Sequence, residues 1–361
     1  MKTVMHVVGA RPNFMKMAPV HAALEARGVG QVAVHTGQHY DDAMSAIFFR
    51  ELGLPPPEIN LEVGSGSHSQ QTSEVMRRFE PVVGERTPDY VLVYGDVNST
   101  MAAALVCAKM LVPVAHVEAG LRSNDRTMPE EINRIVTDHV VDLLLTPSAD
   151  GDANLAAEGI PAARIRRVGN VMIDTLVRLL PRARERWRDL SARLGIDRFA
   201  LLTLHRPSNV DDPAKLARLV ETFSELSGEL RIVFPIHPRT RESLRRSGLP
   251  LPPSMIVTDP LGYLDFVALQ SRATVVVTDS GGVQEETTFL GVPCLTLRTT
   301  TERPVTITVG TNVLVGEDPQ SLRREWSAVL AGRAKRGKIP ELWDGRAAER
   351  IADILVAGLR Q

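Results

Sequence analysis

The 361-residue sequence predicts an α/β protein built from two Rossmann-like, doubly wound domains that face each other across a cleft. Short apolar runs alternate with helix-spaced patterns along nearly the whole chain, as expected for parallel sheets covered on both faces. The length also exceeds what one core supports, because single hydrophobic cores stop growing beyond roughly 250–300 residues. The alternation breaks once, at Gly169-Asn170, and then starts again.

The first strand, 3–8, ends in Gly-Ala-Arg-Pro and leads into a helix over 14–27. The same pairing recurs as strand 32–35 with a helix near 42–52, strand 90–93 with helix 99–110, and strand 114–117 with helix 130–138. Strand 143–145 with helix 149–158 and a strand at 165–168 complete the first series. Residues 55–68, rich in Pro, Gly and Ser, read as a mobile surface loop. An Arg-rich helix over 176–194 follows the break, and a second series of strands begins at 199–203 and continues at 231–235, 255–258, 274–278, 293–297 and 311–315. Helices at 213–227 and 283–290 lie between them. The expected domains are 1–169 and 170–346, with a last helix, about 347–361, a candidate to pack back on the first.

Forty-two basic side chains against 43 acidic ones give no global field toward DNA or an anionic membrane, so a bound anion needs a local site. Neither nucleic acid nor membrane is an expected partner. Cys107 and Cys294 lie far apart in apolar segments, which excludes a disulfide scaffold and argues against a zinc cluster. The apolar start is too short before Arg11 for a signal peptide, and no later run approaches the ~18 apolar residues of a membrane span, so the cytoplasm is the expected compartment.

In open parallel sheets ligands bind beyond the carboxyl ends of the strands. Those positions are polar here: Gly9-Ala10-Arg11-Pro12, Gly95-Asp96, Glu118-Ala119-Gly120, His205-Arg206, His237-Pro238 and Asp279-Ser280-Gly281-Gly282. Ser280, Gly281 and Gly282 open a helix whose N–H groups suit a diphosphate, although Ser-Gly-Gly also makes a plain tight turn. One turn on, a carboxylate of Glu285-Glu286 is spaced to hold ribose hydroxyls, the alternative being a solvated helix face. No G-x-G-x-x-G follows the first strand and no P-loop lysine motif occurs, so neither a nicotinamide nor ATP is expected, and no other cofactor or metal is implied.

The first domain supplies acids: Asp96, Glu118 and the pair Glu130-Glu131. If they converge, like charges crowd together, a condition for proton transfer near neutral pH. Helix capping is the alternative for Asp96, and a helix-dipole preference for Glu130. His205 and His237 join Arg11, Lys16, Arg206 and Arg303 as candidates to neutralise a departing diphosphate. His35, His39, His116 and His139 are weaker candidates, and His116 reads as core.

Taken together, Gly9-x-Arg11-Pro12 with Lys16, Gln38-His39, Gly95-Asp96-x-Asn98-Ser99-Thr100, His116-Val117-Glu118-Ala119-Gly120-Leu121-Arg122, Pro129-Glu130-Glu131-x-Asn133-Arg134, His205-Arg206, Asp279-Ser280-Gly281-Gly282-x-Gln284-Glu285-Glu286 and Thr301-Glu302-Arg303-Pro304 resemble the non-hydrolysing UDP-N-acetylglucosamine 2-epimerases. The resemblance runs in order over almost the whole chain. It implies a fold like the GT-B glycosyltransferases, a homodimer, and interconversion of UDP-GlcNAc with UDP-ManNAc for cell-surface polysaccharide precursors.

By the same resemblance Asp96, Glu118 and Glu130 are acid/base groups, and His205 stands near the glycosyl oxygen. Arg11, Lys16 and Arg303 bind phosphate, Ser280 to Gly282 give backbone donors and Glu286 holds the ribose. Leu261 and Phe266 frame the uracil, and Gln38, His39, Arg134, Arg206 and His237 complete the substrate-binding set. Asn13 and Val305 stand where many members carry Glu. Asp41 and Ser69 or Gln70 replace partners used by members that UDP-GlcNAc activates at a second site, so such activation is expected to be weak or absent. Alternatives from the same fold are a UDP-2,3-diacetamido-uronic acid 2-epimerase, a hydrolysing relative, a glycosyltransferase and a non-catalytic UDP-sugar sensor.

Overall fold

The computed structural model describes residues 2–37 and 51–359, apart from the side chain of Arg11. The chain divides into two compact units, Met1–Thr175 with Glu341–Gln361, and Leu176–Pro340.

The first unit holds a parallel sheet of β1 (Thr3–Val8), β2 (Gly30–His35), β3 (Ile59–Asn60), β4 (Tyr90–Tyr94), β5 (Val114–Val117), β6 (Leu143–Thr146) and β7 (Ile165–Arg167), in the order β3-β2-β1-β4-β5-β6-β7. His6 of β1 sits in register between Ala33 of β2 and Leu92 of β4. The strand order reverses between β1 and β4, and at such a switch point the diverging connections leave a crevice beyond the strand ends. Both strands deliver candidate residues there, Gly9 to Lys16 after β1 and Gly95-Asp96 after β4.

The second unit repeats the plan with β8 (Ala200–Thr203), β9 (Ile232–Pro235), β10 (Met255–Thr258), β11 (Val275–Thr278), β12 (Cys294–Thr296) and β13 (Asn312–Leu314), ordered β10-β9-β8-β11-β12-β13. Its switch point lies between β8 and β11, which lead into His205-Arg206 and Asp279-Ser280-Gly281-Gly282. Every strand pairing in both sheets is parallel, and the cores are the apolar runs themselves: Met5, Val7, Val91, Val93 and Leu144 in one, Leu202, Phe234, Val275, Val277 and Leu295 in the other.

The helices of the first unit are α1 (Arg11–Glu25), α2 (His68–Arg86), α3 (Asn98–Met110), α4 (Pro129–Val140) and α5 (Ala149–Ala157); α6 (Val171–Leu194) begins there and continues into the second. The second unit adds α7 (Pro207–Val210), α8 (Pro213–Glu229), α9 (Pro238–Ser247), α10 (Tyr263–Gln270), α11 (Gly281–Leu290), α12 (Val305–Thr308) and α13 (Pro319–Leu330). Five of these helices, α4, α7, α8, α9 and α13, begin at a proline, which fits the first turn because its missing N–H would have no helical acceptor there.

The last helix, α14 (Ala347–Leu359), packs on α1 within the first unit. Asp174 at the start of α6 accepts the N–H groups of Ala347 (3.1 Å) and Ala348 (2.7 Å), and burial pushes its carboxyl up to about 6. Helix α2 is absent from the sequence reading. It starts on a capping box, Ser67 with Gln70, but its internal Pro81 and two polar early turns obscure the apolar period. The segment 55–68 contains the short strand β3. Most of the helix expected near 42–52 falls outside the described residues.

Candidate active site

The acids of the first unit stand on loops that the fold holds rigidly. Glu118 follows β5 with φ +77°, a left-handed conformation that costs an L-residue roughly 1–2 kcal/mol and that glycine would adopt freely. A glutamate kept in such a position points to a need for its side chain. Its carboxylate is buried against Lys16 of α1, with which it forms a direct ion pair. Gly95 (φ +65°) lies against both groups: a Cβ there would sit 2.7 Å from Lys16 Nζ and 3.8 Å from Glu118 Oε2. Asp96 is the next residue, and its carboxylate bonds the guanidinium of Arg134.

Helix α4 supplies the anchor. Asn133 Nδ2 donates to the Asp96 carbonyl at 2.9 Å, and Arg134 binds Glu131 through Nη2 at 2.6 Å and Nε at 3.0 Å. Glu131 is 1% exposed and also accepts the N–H groups of Ser123 (3.0 Å) and Asn124 (2.8 Å). Burial alone would raise its pKa, but these donors outweigh it and the carboxyl lies below its ordinary value. Glu130 is half-buried one turn before Asn133 and Arg134, on the same side of the helix as the residues that hold Asp96.

A second buried network ties the loops together. His116 Nδ1 lies 2.6 Å from Asp138 Oδ1, and Nε2 lies 2.8 Å from the Gly95 carbonyl. Both neighbours are acceptors, so the ring donates from both nitrogens. Asp138 also accepts Gly120 N (3.0 Å) and Arg122 Nη1 (2.7 Å), and Arg122 forks onto Glu158 at 2.7 and 2.8 Å. Burial of Asp138 opposes ionisation, yet the charges of His116 and Arg122 outweigh it and hold its pKa low. The loops carrying Asp96 and Glu118 are thus both fastened to one carboxylate on α4.

In the second unit α11 opens at Gly281, directly after β11. The first N–H groups of a helix have no internal acceptor and face outward as anion donors. Gly281 is required sterically: a Cβ would lie 2.5 Å from Arg303 Nη1 and 2.7 Å from Glu302 Oε1. Arg303 pairs with Glu302 and, at 2.8 Å, with Glu285; Arg298 reaches Glu302 at 2.7 Å, and Arg206 reaches the same carboxylate at 3.8 Å. These three guanidiniums share Glu285 and Glu302 beside the helix N-terminus, and Asp279 adds a third carboxylate in the turn before it. Burial would raise the Glu302 carboxyl, but Arg303 and Arg298 outweigh it and depress it strongly. Glu286, 3% exposed, accepts Tyr263 Oη at 2.8 Å, and burial pushes it up to about 7.

The profile of the UDP-N-acetylglucosamine 2-epimerase family matches residues 22–356. The chain belongs to that family. The UDP-N-acetylglucosamine 2-epimerase of Methanocaldococcus jannaschii is 42% identical over 98% of each chain, and its crystal structure in complex with UDP-GlcNAc and UDP superposes with a TM-score of 0.91, covering 99% of this chain and 100% of that one. The UDP-2,3-diacetamido-2,3-dideoxy-D-glucuronate 2-epimerase of Pseudomonas aeruginosa is also 42% identical, over 98% of this chain and 99% of its own. The UDP-GlcNAc 2-epimerase of Neisseria meningitidis bound to UDP-GlcNAc has a TM-score of 0.89 at 28% identity, covering 98% of this chain and 100% of that one. The fold is α/β with two parallel Rossmann-like sheets, as in the GT-B-like epimerases.

Within this epimerase fold the structure pairs Lys16 with Glu118 and Asp96 with Arg134, and separately brings His205 to His237, Arg303 to Gly281, and Glu286 to Tyr263, with Arg206 and Ser280 in the turns after β8 and β11. Gly282 follows Gly281 in the first turn of α11, and Leu261 and Phe266 flank the start of α10. Gln38 and His39 lie outside the described residues, as does the Arg11 side chain. Glu285 joins the Arg303 cluster and is buried, as is Glu286, so neither forms a solvated face. His237 has a local duty: its Nδ1 accepts Arg239 N at 3.2 Å and caps α9. Sequence reasoning missed Glu131, Asp138 and Glu302 as anchors. The spacing of Glu131, Arg134 and Asp138 on one side of α4 was the available signal.

Among the described residues no group of three or more His, Cys, Asp or Glu side chains is arranged to hold a metal ion, and no helix is long and apolar enough to cross a membrane.

Proposed function

We propose that this epimerase interconverts UDP-GlcNAc and UDP-ManNAc by elimination and re-addition of UDP. The observation that carries the proposal is the Glu118 carboxylate, held on a left-handed backbone position against Lys16 and next to Gly95. The C2 proton of the sugar has no adjacent carbonyl and does not leave from the ground state. Lengthening the C1–O bond builds positive charge at C1 and acidifies it. The C1–O electron pair departs on the β-phosphate, the C2–H pair becomes the C1=C2 bond of 2-acetamidoglucal, and the proton passes to a carboxylate. Return of a proton to the opposite face of C2, with UDP adding back at C1, completes the inversion.

In this scheme Asp96, Glu118 and Glu130 are the acid/base set, and His205 attends the glycosyl oxygen. The α11 N-terminus with Arg303 and Arg206 receives the diphosphate, helped by Arg11 and Lys16, and Glu286 exchanges its Tyr263 partner for the ribose. Leu261 and Phe266 frame the uracil, and Gln38, His39, Arg134 and His237 complete the binding set. Arg134 would act by holding Asp96. We extend the proposal to a cytoplasmic homodimer that supplies cell-surface polysaccharide precursors.

Incubation with UDP-GlcNAc in deuterated water, followed by NMR, tests the reaction: deuterium at C2 with the nucleotide still attached is expected. Free ManNAc with UDP would identify a hydrolase, and no exchange would refute an epimerase acting on this substrate. The Pseudomonas relative, equally identical, motivates a second reading in which the sugar is a UDP-2,3-diacetamido uronic acid. Exchange with that substrate alone would establish it. Asp96→Asn and Glu118→Gln should each lose about 10²-fold or more in kcat while still binding UDP, and near-normal turnover in both would defeat the assignment.

A further inference from the structure

Asp279 makes more contacts than a strand-to-helix turn requires. It is 0% exposed, and its Oδ2 accepts the N–H groups of His205 (3.0 Å) and Arg206 (2.9 Å) and the amide of Asn209 (3.1 Å). Its Oδ1 lies 2.9 Å from His205 Nδ1. A carboxylate only accepts, so the ring nitrogen facing it carries the hydrogen. Burial alone would keep Asp279 neutral, but the His205 ring and the backbone donors outweigh it and hold its pKa below the ordinary carboxylate value.

The His205 side chain is 40% exposed, and among the described residues no partner is assigned to its Nε2. His237, with ring centroid 5.7 Å away, is arranged the opposite way. Its Nδ1 is an acceptor in the α9 cap, and its pKa is lowered by burial and then by His205. Of the two rings at this switch point, only His205 has a carboxylate behind it.

We propose that Asp279 is a positioning residue that locks His205 with Nδ1–H toward itself and Nε2 toward the glycosyl oxygen, resting on the 2-epimerase reading of this site. Protonated His205 then gives its Nε2 proton to the β-phosphate oxygen as the C1–O electron pair arrives there, and recovers it when UDP adds back. The C2 proton moves separately, to a carboxylate of the first unit. Asp279 touches no reacting atom. It supplies the tautomer and the direction.

Asp279→Asn keeps the volume and one acceptor oxygen but can turn an N–H toward His205 Nδ1, which favours the Nε2–H tautomer. Long-range 1H–15N NMR of the full-length protein without substrate, at a pH where the ring is neutral, reads the tautomer directly. Nδ1–H is expected in the wild type and Nε2–H in Asp279→Asn. With UDP-GlcNAc, or the uronic acid analogue if that is the substrate turned over, kcat should fall about 10²–10⁴-fold with UDP affinity within about threefold. The double variant with His205→Asn should be no slower than His205→Asn alone, since a residue acting through another adds nothing once that other is gone.

A wild-type ring in the Nε2–H form overturns the proposal, and so does full kcat in Asp279→Asn or a loss of UDP affinity that matches the loss of kcat. If Asp279→Asn fails to fold, the wild-type tautomer and the kcat of His205→Asn still decide. If the wild type exchanges C2 in neither nucleotide sugar, the functional reading fails, whereas the tautomer measurement stands independently.

Discussion

Replacing Asp138 by Ala should weaken both stability and turnover, although Asp138 belongs to no proposed binding set. The carboxylate is wholly buried and neutralises two buried donors, His116 at 2.6 Å and Arg122 at 2.7 Å, besides accepting Gly120 N at 3.0 Å. Removing one partner of a buried ion pair costs ~3–5 kcal/mol, because the remaining charge is left without compensation in the interior. At ~2–4 °C per kcal/mol for a domain of this size, the first thermal transition should fall by roughly 6–20 °C. His116 Nε2 also supports the Gly95 carbonyl next to Asp96, and Gly120 lies two residues after Glu118. A displacement of ~1 Å in either acid can lower kcat by ~10²-fold. Differential scanning calorimetry and steady-state kinetics read the two effects. Asp138→Asn paired with His116→Gln, neutral at both ends and still hydrogen-bonded, should recover part of the melting temperature lost in Asp138→Ala. An Asp138→Ala protein that melts within ~2 °C of wild type with normal kcat would refute the network as the support of the acid loops.

Gly281→Ala should weaken UDP binding about tenfold or more by calorimetry, because its Cβ would press on Arg303 Nη1 at 2.5 Å and overpacking costs ~1–3 kcal/mol; unchanged affinity would remove Arg303 from the cradle. For Asp174 the folded pKa, about 6, lies above the unfolded value. Stability from the neutral carboxyl is therefore complete below pH ~4 and is lost as pH rises through about 6, a change on the order of 3 kcal/mol. Asp174→Asn should flatten that slope in urea titrations at pH 5 and pH 8, and an unaltered slope would exclude Asp174 as its source. UDP-GlcNAc saturation should be hyperbolic if, as the family resemblance implies, Asp41 and Ser69 or Gln70 replace the partners that activated members use. Strong cooperativity that Gln38→Ala abolishes would contradict this.

Much of the fold was legible because parallel strands buried on both faces are continuous apolar runs, and residues 90–93, 114–117 and 275–278 could be read by inspection. Helix α2 was not, since Pro81 and its polar first turns hide the period that marks a helix. The proposed acids were legible from position alone: Asp96 and Glu118 follow strands, where a ligand has access. Their supports were not, for a physical reason. A buried polar group must be paired, but nothing local in sequence says with what. His116 lies in the apolar strand Val114–Val117 and reads as core, and it is indeed wholly buried. What makes it matter is Asp138, 22 residues away, and the Gly95 carbonyl, 21 residues away, which the sheet and α4 bring to its two nitrogens.

The two candidate clusters, one in each unit, hold their charged groups in different ways. In the first unit Glu118 pairs with Lys16, and Asp96 shares the Arg134 guanidinium with the buried Glu131. In the second unit Arg206, Arg298 and Arg303 are held by Glu285 and Glu302, with Arg303 lying against the helix N-terminus at Gly281. Acids held by fixed partners suit proton transfer, which needs fixed distances more than net field. Guanidiniums fixed beside a helix N-terminus suit a diphosphate whose charge grows as the C1–O bond breaks. Removing Glu302 should therefore tighten UDP binding only if its electrostatic effect exceeds its part in holding Arg303 and Arg298 in place. With Glu302 buried and bonded to both guanidiniums, the positional part is the larger, and Glu302→Gln should bind UDP more weakly than wild type in calorimetry despite its added net positive charge. Tighter binding in that variant would mean that field, and not the fixed geometry of the guanidiniums, governs the cradle.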